Sequence, residues 1–145
     1  MAKIFGVALI LVSPDDPNHV FVLKEKQNRP WKTIGDFSIP METLQPNESH
    51  SHAISRALDE EVGIDAVTGI LYTIGDYDLV DVALASAYYT ELKSISFFRV
   101  KNPEEAEVVG FMHYAKLLKE TIRPGVREMI LSWLSPPLNT KGWIQ

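Results

Sequence analysis

The apolar and polar positions of this chain fall into blocks whose period changes along its length. Ile4 to Val12 is an almost unbroken apolar run, the pattern of a strand buried on both faces. It stops at Ser13-Pro14-Asp15-Asp16-Pro17-Asn18, a dense turn signal. His19 to Lys26 (HVFVLKEK) is rich in β-branched and aromatic residues and predicts a hairpin partner for that strand. Gln27 to Gly35 reads as loop, Asp36 to Met41 as a short strand, and Glu42 to Asn47 as loop again. Ser49 is placed to N-cap a helix from about His50 to Val62, which Gly63 ends.

Further on, Ala66 to Ile74 is a strand by composition and Gly75-Asp76-Tyr77-Asp78 a turn. Val80 to Leu92 suits strand and helix equally. Ile95 to Lys101 (ISFFRVK) and Val108 to His113 read as strands, and Tyr114 to Glu120 as a short helix. Arg123-Pro124-Gly125 opens a last helix with Val126, Met129, Ile130, Trp133 and Leu134 at helical spacing, closed by Pro136-Pro137. There is no internal repeat or linker. The expectation is one domain over residues 1–137, with a loosely held tail at 138–145. Its class is α/β, a mixed β-sheet sandwiched between α-helices.

Composition narrows the function. A chain of 145 residues with 46% apolar and 23% charged content can bury the core of one soluble globular domain. No segment is long enough to span a membrane. The Ile4 to Val12 run follows Lys3 but ends in a turn without a small-x-small cleavage pattern, so it reads as a strand and not as a signal peptide. With no cysteine, disulfides, thiolate zinc sites and cysteine nucleophiles are excluded, and a cytoplasmic location is expected. A net charge of −5 without a Lys/Arg cluster argues against extended nucleic-acid binding. A small anionic substrate would then need a bridging cation.

On a wheel of about 100° per residue, Ile54, Leu58 and Val62 make an apolar stripe on the helix, flanked by Ala53 and Ala57. Glu61 falls inside the edge of that stripe and Glu60 beside Ala53. A solvent-facing helix has no reason to put a glutamate there. A carboxylate so placed must be paired, metal-bound or protonated. Arg56 stands four residues before Glu60, within pairing distance. Magnesium is the natural cation for such oxygen donors, because it also bridges substrate phosphates.

The stretch from Glu42 to Ile64 resembles the Nudix hydrolase signature, G-x5-E-x7-R-E-U-x-E-E-x-G-U with U a bulky aliphatic. Glu48, Arg56, Leu58, Glu60, Glu61, Gly63 and Ile64 fall on its positions without a gap. Upstream, Gly35-Asp-Phe37-Ser-Ile39-Pro40 resembles the strand leading into that family's Pro-Gly-Gly turn, and the other elements suit the Nudix fold along nearly the whole chain. The resemblance implies a pyrophosphohydrolase dependent on Mg2+ or Mn2+, cleaving a small-molecule nucleoside diphosphate linked to another moiety. It implies metal ligation by Glu60 and Glu61, a supporting carboxylate at Glu48 near the metals, and orientation of the glutamates by Arg56. It also implies a possible homodimer, for which Val80 to Leu92 is the candidate interface. An isomerase of this fold acting on isoprenoid diphosphates is disfavoured by the lack of cysteine.

Two positions depart from the signature. Ala57 stands where the family has its first helix glutamate, and Glu42 where it has a glycine. Loss of a positioned general base typically costs about 10²- to 10⁴-fold in rate. A catalytically weakened domain that binds a nucleotide or serves regulation is therefore the alternative. If the turn keeps a positive φ, a side chain at 42 costs on the order of 1 kcal/mol, so a reshaped turn is expected. Glu42 itself reads as a solvated loop glutamate or, alternatively, as compensation for Ala57. Glu91, Glu104, Glu105 and Glu107 are candidates for a further carboxylate. Trp31 is a candidate to stack on a nucleobase, and packing is its other reading. His50 and His52 read as exposed first-turn histidines, and His113 as structural.

Overall fold

The structure is a computed structural model that describes residues 4–80 and 83–135. The expected tail, the Pro136-Pro137 stop and residues 81–82 lie outside the described residues. Among the described residues the strands are β1 (Ile4–Val12), β2 (His19–Glu25), β3 (Phe37–Ser38), β4 (Met41–Thr43), β5 (Val67–Thr68), β6 (Tyr72–Val80), β7 (Ala83–Ser94) and β8 (Ala106–His113). The helices are α1 (His50–Glu61), α2 (Tyr114–Leu117) and α3 (Val126–Leu134).

The sheet is mixed. β1 runs parallel to β7 from Ile4↔Ala83 to Val12↔Glu91, whereas β2 with β8, β4 with β1 and β6 with β7 are antiparallel. The expected β1–β2 hairpin is reduced to the pair Val12↔Val20, because β4 and β7 take the flanks of β1. β1 is central, which is why its sequence is continuously apolar. Its odd positions Val7, Leu9 and Leu11 pack with Phe21, Leu23, Ala53 and Ile54 under α1. Its even positions Ala8, Ile10 and Val12 pack with Leu117, Val126, Met129 and Ile130 under α2 and α3. The period-2 alternation of a strand thus serves both helical layers, as the sandwich reading expects.

Several local expectations are corrected. Asp36 to Met41 is not one strand: Pro40 separates β3 from β4, and Glu42 and Thr43, expected in a loop, continue β4. Ala66 to Ile74 is likewise broken into β5 and the start of β6, and Gly75 to Asp78 is not a turn but lies within β6. Of Val80 to Leu92, Val80 ends β6 and the stretch from Ala83 to Leu92 lies in β7, so the described residues are strand. β7 has β1 on one side and β6 on the other, so its backbone offers no open edge to a second copy.

Ile95 to Lys101 is not a strand. Its amides are spent on the helix end: Arg99 N–H donates to the Val62 carbonyl and Lys101 N–H to the Glu60 carbonyl, both at 2.7 Å. These are carbonyls that a helix C-terminus leaves without intrahelical partners. Gly63 makes the approach possible, since a Cβ there would lie 2.7 Å from Ile95 Cδ1 and 2.8 Å from the Phe97 carbonyl oxygen. Phe98 then packs against Phe21, tilted, and Phe111, edge-on, at 5.1 and 5.7 Å between ring centroids. The glutamates at the end of α1 are held in place by this segment.

Candidate active site

The N-terminus of α1 forms as expected. Ser49 is extended and its side chain accepts from His52 N–H, and at the other end Gly63 N–H donates to the Leu58 carbonyl at 2.8 Å. Ala53, Ile54 and Ala57 are buried against the sheet, which turns Glu60 and Glu61 toward a cleft of ≈ 300 Å³. Small residues make room for it: Gly6 and Ala85, side by side in β1 and β7, both line it. Glu42, Glu60, Glu61, Glu25, Arg123 and Trp31 stand around this space.

Glu61 keeps partial exposure as a residue while its carboxyl group lies deep among protein atoms. One N–H reaches it, from Met41 of β4 at 3.1 Å. Burial pushes its pKa up to about 8, with Glu42 and Glu25 adding to the rise, and the Met41 N–H and Arg123 opposing it. Glu42 is half-buried, its carboxyl beside that of Glu60 and 3.3 Å from Arg56 Nη1. Burial and then Glu60 raise Glu42 to about 7.

Glu48 is not brought to this group. Arg56 Nε and Nη2 donate to its Oε2 and Oε1 at 2.7 and 2.8 Å, Gln45 N–H donates to Oε1 at 2.9 Å, and His52 Nδ1 lies 2.5 Å from Oε2. The carboxylate is covered by these partners although it lies close to the molecular surface. Donors to its charged form, Arg56 foremost, hold it well below the usual carboxylate range. Glu48 in turn raises the Arg56 pKa. Arg56 also donates to the Thr43 carbonyl at 2.7 Å, so it ties α1 to β4 through Glu48, Thr43 and Glu42 rather than pairing with Glu60 as its spacing suggests.

Among the other candidate carboxylates, Glu105 lines the cleft, whereas Glu104 and the β8 residue Glu107 are exposed and Glu91 of β7 pairs with Lys93 on the surface. Trp31 sits at the tip of a tight turn closed by Arg29 and Lys32, half-buried against the core and facing the cleft. The packing reading of Trp31 thus holds, with part of the side chain left on the cleft. His52 is exposed, but His50 is half-buried, with Nδ1 2.5 Å from the Tyr88 hydroxyl oxygen. His113 caps α2, its Nδ1 accepting from Ala115 N–H.

Sequence reasoning missed a second charged group on the cleft wall. Glu25 is buried, 3.0 Å from Lys32 Nζ and 3.3 Å from Arg123 Nη1. Arg123 is 9% exposed, and its Nε has no hydrogen-bond partner among the described residues. The available signal was phase: Glu25 follows Phe21 and Leu23 at the strand period, on a buried face.

Two carboxyl groups side by side, with a third on the same cleft, need a proton or a cation between them. Among the described residues no three His, Asp or Glu side chains converge as a complete metal cage. The donors at hand, Glu42, Glu60 and Glu61, are carboxylate oxygens, the type that hard divalent cations such as Mg2+ or Mn2+ take.

A sequence model of the NUDIX domain matches residues 3–133. The chain belongs to the Nudix family. No curated protein matches it by sequence. Its fold is similar to that of the MutT NUDIX hydrolase of Burkholderia pseudomallei, at TM-score 0.69 and 15% identity over 94% of this chain and 100% of that one. A mutT/nudix family protein of Listeria innocua gives TM-score 0.67 and 16% identity over 100% and 99% of the two chains. The NUDIX domain of Shewanella oneidensis NrtR, solved with ADP ribose, gives 0.63 and 16% over 93% and 90%. This Nudix chain thus has the family's fold, and it sets Glu60 and Glu61 at the end of α1 on one cleft.

Proposed function

We propose that this Nudix protein is a divalent-metal-dependent pyrophosphohydrolase that cleaves a nucleoside diphosphate linked to another moiety. The observation that carries the reading is the placement of Glu60 and Glu61 on one cleft, with the Glu61 carboxyl deep in protein and reached by a single N–H. Glu60 and Glu61 are the residues that would hold Mg2+ or Mn2+. When bound, the cation neutralises diphosphate charge and lowers the pKa of an attacking water.

The chain's own residues supply position and charge. Arg56 fixes β4 against α1, and Glu48 serves as the anchor of Arg56 more than as a direct ligand, since its oxygens are already engaged. Arg123, buried in the cleft wall with an unpartnered Nε, offers positive charge to an anionic substrate. Trp31 at the rim offers a flat apolar face for a base. The ADP ribose bound by the NrtR domain is a nucleoside diphosphate linked to a sugar, which places that compound first in a substrate panel.

Ala57 favours a second reading. It is 1% exposed and packed, so α1 lacks a carboxylate one turn before Glu60 and Glu61. On that reading the domain binds its nucleotide without turning it over. A panel of nucleoside diphosphate derivatives incubated with Mg2+ or Mn2+, with and without chelator, separates the two. Metal-dependent release of phosphorylated products supports hydrolysis; tight binding without release, unchanged in Glu61→Gln, supports the binding module.

A further inference from the structure

We propose that Glu42 supplies from strand β4 the carboxylate that Ala57 cannot supply from helix α1; the inference rests on the metal-dependent reading above. On the helix, position 57 lies between Glu60 and Glu61, one turn earlier. Its alanine is buried, so nothing polar reaches the cleft from there. β4 passes directly over this part of α1. Met41 is tied to Glu61 by its N–H at 3.1 Å, and the next residue sends its carboxyl between Arg56 and Glu60, which are themselves one turn apart. The Glu42 carboxyl therefore arrives at the level of residue 57.

The backbone makes this possible. Where the family signature has a glycine, Glu42 is an ordinary strand residue paired with Val7, and its φ is not positive. Nothing strained is needed to hold it. Gly6 lets β4 lie this close, because a Cβ on Gly6 would stand 2.8 Å from the Glu42 carbonyl oxygen. The two departures from the signature thus meet in space: one removes a carboxylate from the helix, and the other adds one on the adjoining strand.

Arg56 pairs with Glu42 through Nη1, but most of its donors go elsewhere. Its Nε and Nη2 are given to Glu48 at 2.7 and 2.8 Å, and Nη2 also to the Thr43 carbonyl, which leaves Glu42 the longer contact at 3.3 Å. Glu42 remains beside Glu60, an arrangement of like charges that a shared cation stabilises. Independently, Arg123 in the wall of the same cleft places positive charge there, with a buried Nε that has no hydrogen-bond partner among the described residues.

Mn2+ binding, followed by the loss of the free-ion electron paramagnetic resonance signal, tests the proposal without relying on turnover. The proteins are wild type, E42Q, E61Q and the exchange variant E42G/A57E, each checked by thermal melting. E42Q keeps a side chain of the same length that still accepts from Arg56. It is expected to weaken Mn2+ by about 10- to 100-fold, at least what loss of an outer-shell partner costs. E42G/A57E is expected to recover most of that affinity. If E61Q weakens Mn2+ and E42Q binds as wild type does, Glu42 is only an anchor for Arg56 and the inference is overturned while the metal site stands. If wild type binds no Mn2+, or E61Q changes nothing, the metal-dependent reading falls and this inference with it. Should E42G/A57E fail to fold, E42Q decides alone.

Discussion

The buried charges on the cleft wall give the sharpest test of the packing. At 3.3 Å, Glu25 and Arg123 attract by about 5 kcal/mol at an effective dielectric constant of 20. Most of that offsets the desolvation of two side chains that are 5% and 10% exposed. Removing one partner is another matter, because the other charge is then stranded: the typical loss is about 3–5 kcal/mol. Arg123→Met is expected to cost less than Glu25→Leu, since Glu25 retains Lys32 at 3.0 Å whereas Arg123 loses its ion-pair partner. At roughly 3 °C per kcal/mol for a chain of this size, Glu25→Leu should lower Tm by about 10 °C. The double variant should melt higher than Glu25→Leu alone, since a charge pair replaced by apolar groups leaves nothing stranded. Thermal melts of the four proteins in chelator check this. A Glu25→Leu shift below about 3 °C, or a double variant whose losses simply add, would refute the reasoning.

Three further outcomes are expected. Burial raises Glu61 to about 8 and Glu42 to about 7, so between pH 5 and 8 the native protein holds protons that the unfolded chain has released. Unfolding then releases protons, and metal-free stability falls as pH rises through this window; melts in chelator should show a declining Tm and melts in Mn2+ a flatter one, and a Tm that rises from pH 5 to 8 in chelator would contradict the burial of these acids. Ala57→Glu alone should gain less than about 10-fold in kcat, well under the 10²- to 10⁴-fold range of a restored base, because Glu42 already occupies that place; steady-state rates decide, and a gain of 10²-fold or more would mean the site had lacked its acid. Trp31→Ala should raise KM for a nucleoside diphosphate derivative by on the order of 10-fold with little change in kcat, as loss of a base-stacking face does; an unchanged KM would leave Trp31 a packing residue.

What was legible in the sequence follows from where each signal is local. The apolar run of β1, the Ser49 cap and the spacing from Arg56 to Gly63 depend on near neighbours, and each appears where the sequence puts it. The fold class followed from the alternation of such elements. Ile95 to Lys101 misled because its β-forming residues serve a helix end: with two of its amides taken by Glu60 and Val62, no ladder forms. β6 through Gly75-Asp76-Tyr77-Asp78 was hidden by turn-forming residues that β7 pairs along their length. At the site, Glu60 and Glu61 were readable from helical phase. The meeting of Glu42 with Glu60, and of Glu25 with Arg123, was not, because 98 residues separate the latter pair and only the sheet closes that distance.

The central claim is that Glu60 and Glu61 form a working hydrolytic metal site. Product release from nucleoside diphosphate derivatives at saturating Mg2+ or Mn2+, measured on wild type beside Glu61→Gln, tests it most directly. The account expects turnover that chelator abolishes and that Glu61→Gln lowers by on the order of 100-fold or more, beyond what an outer-shell loss causes. Equal rates in the two proteins, or cleavage that persists in chelator, would contradict it.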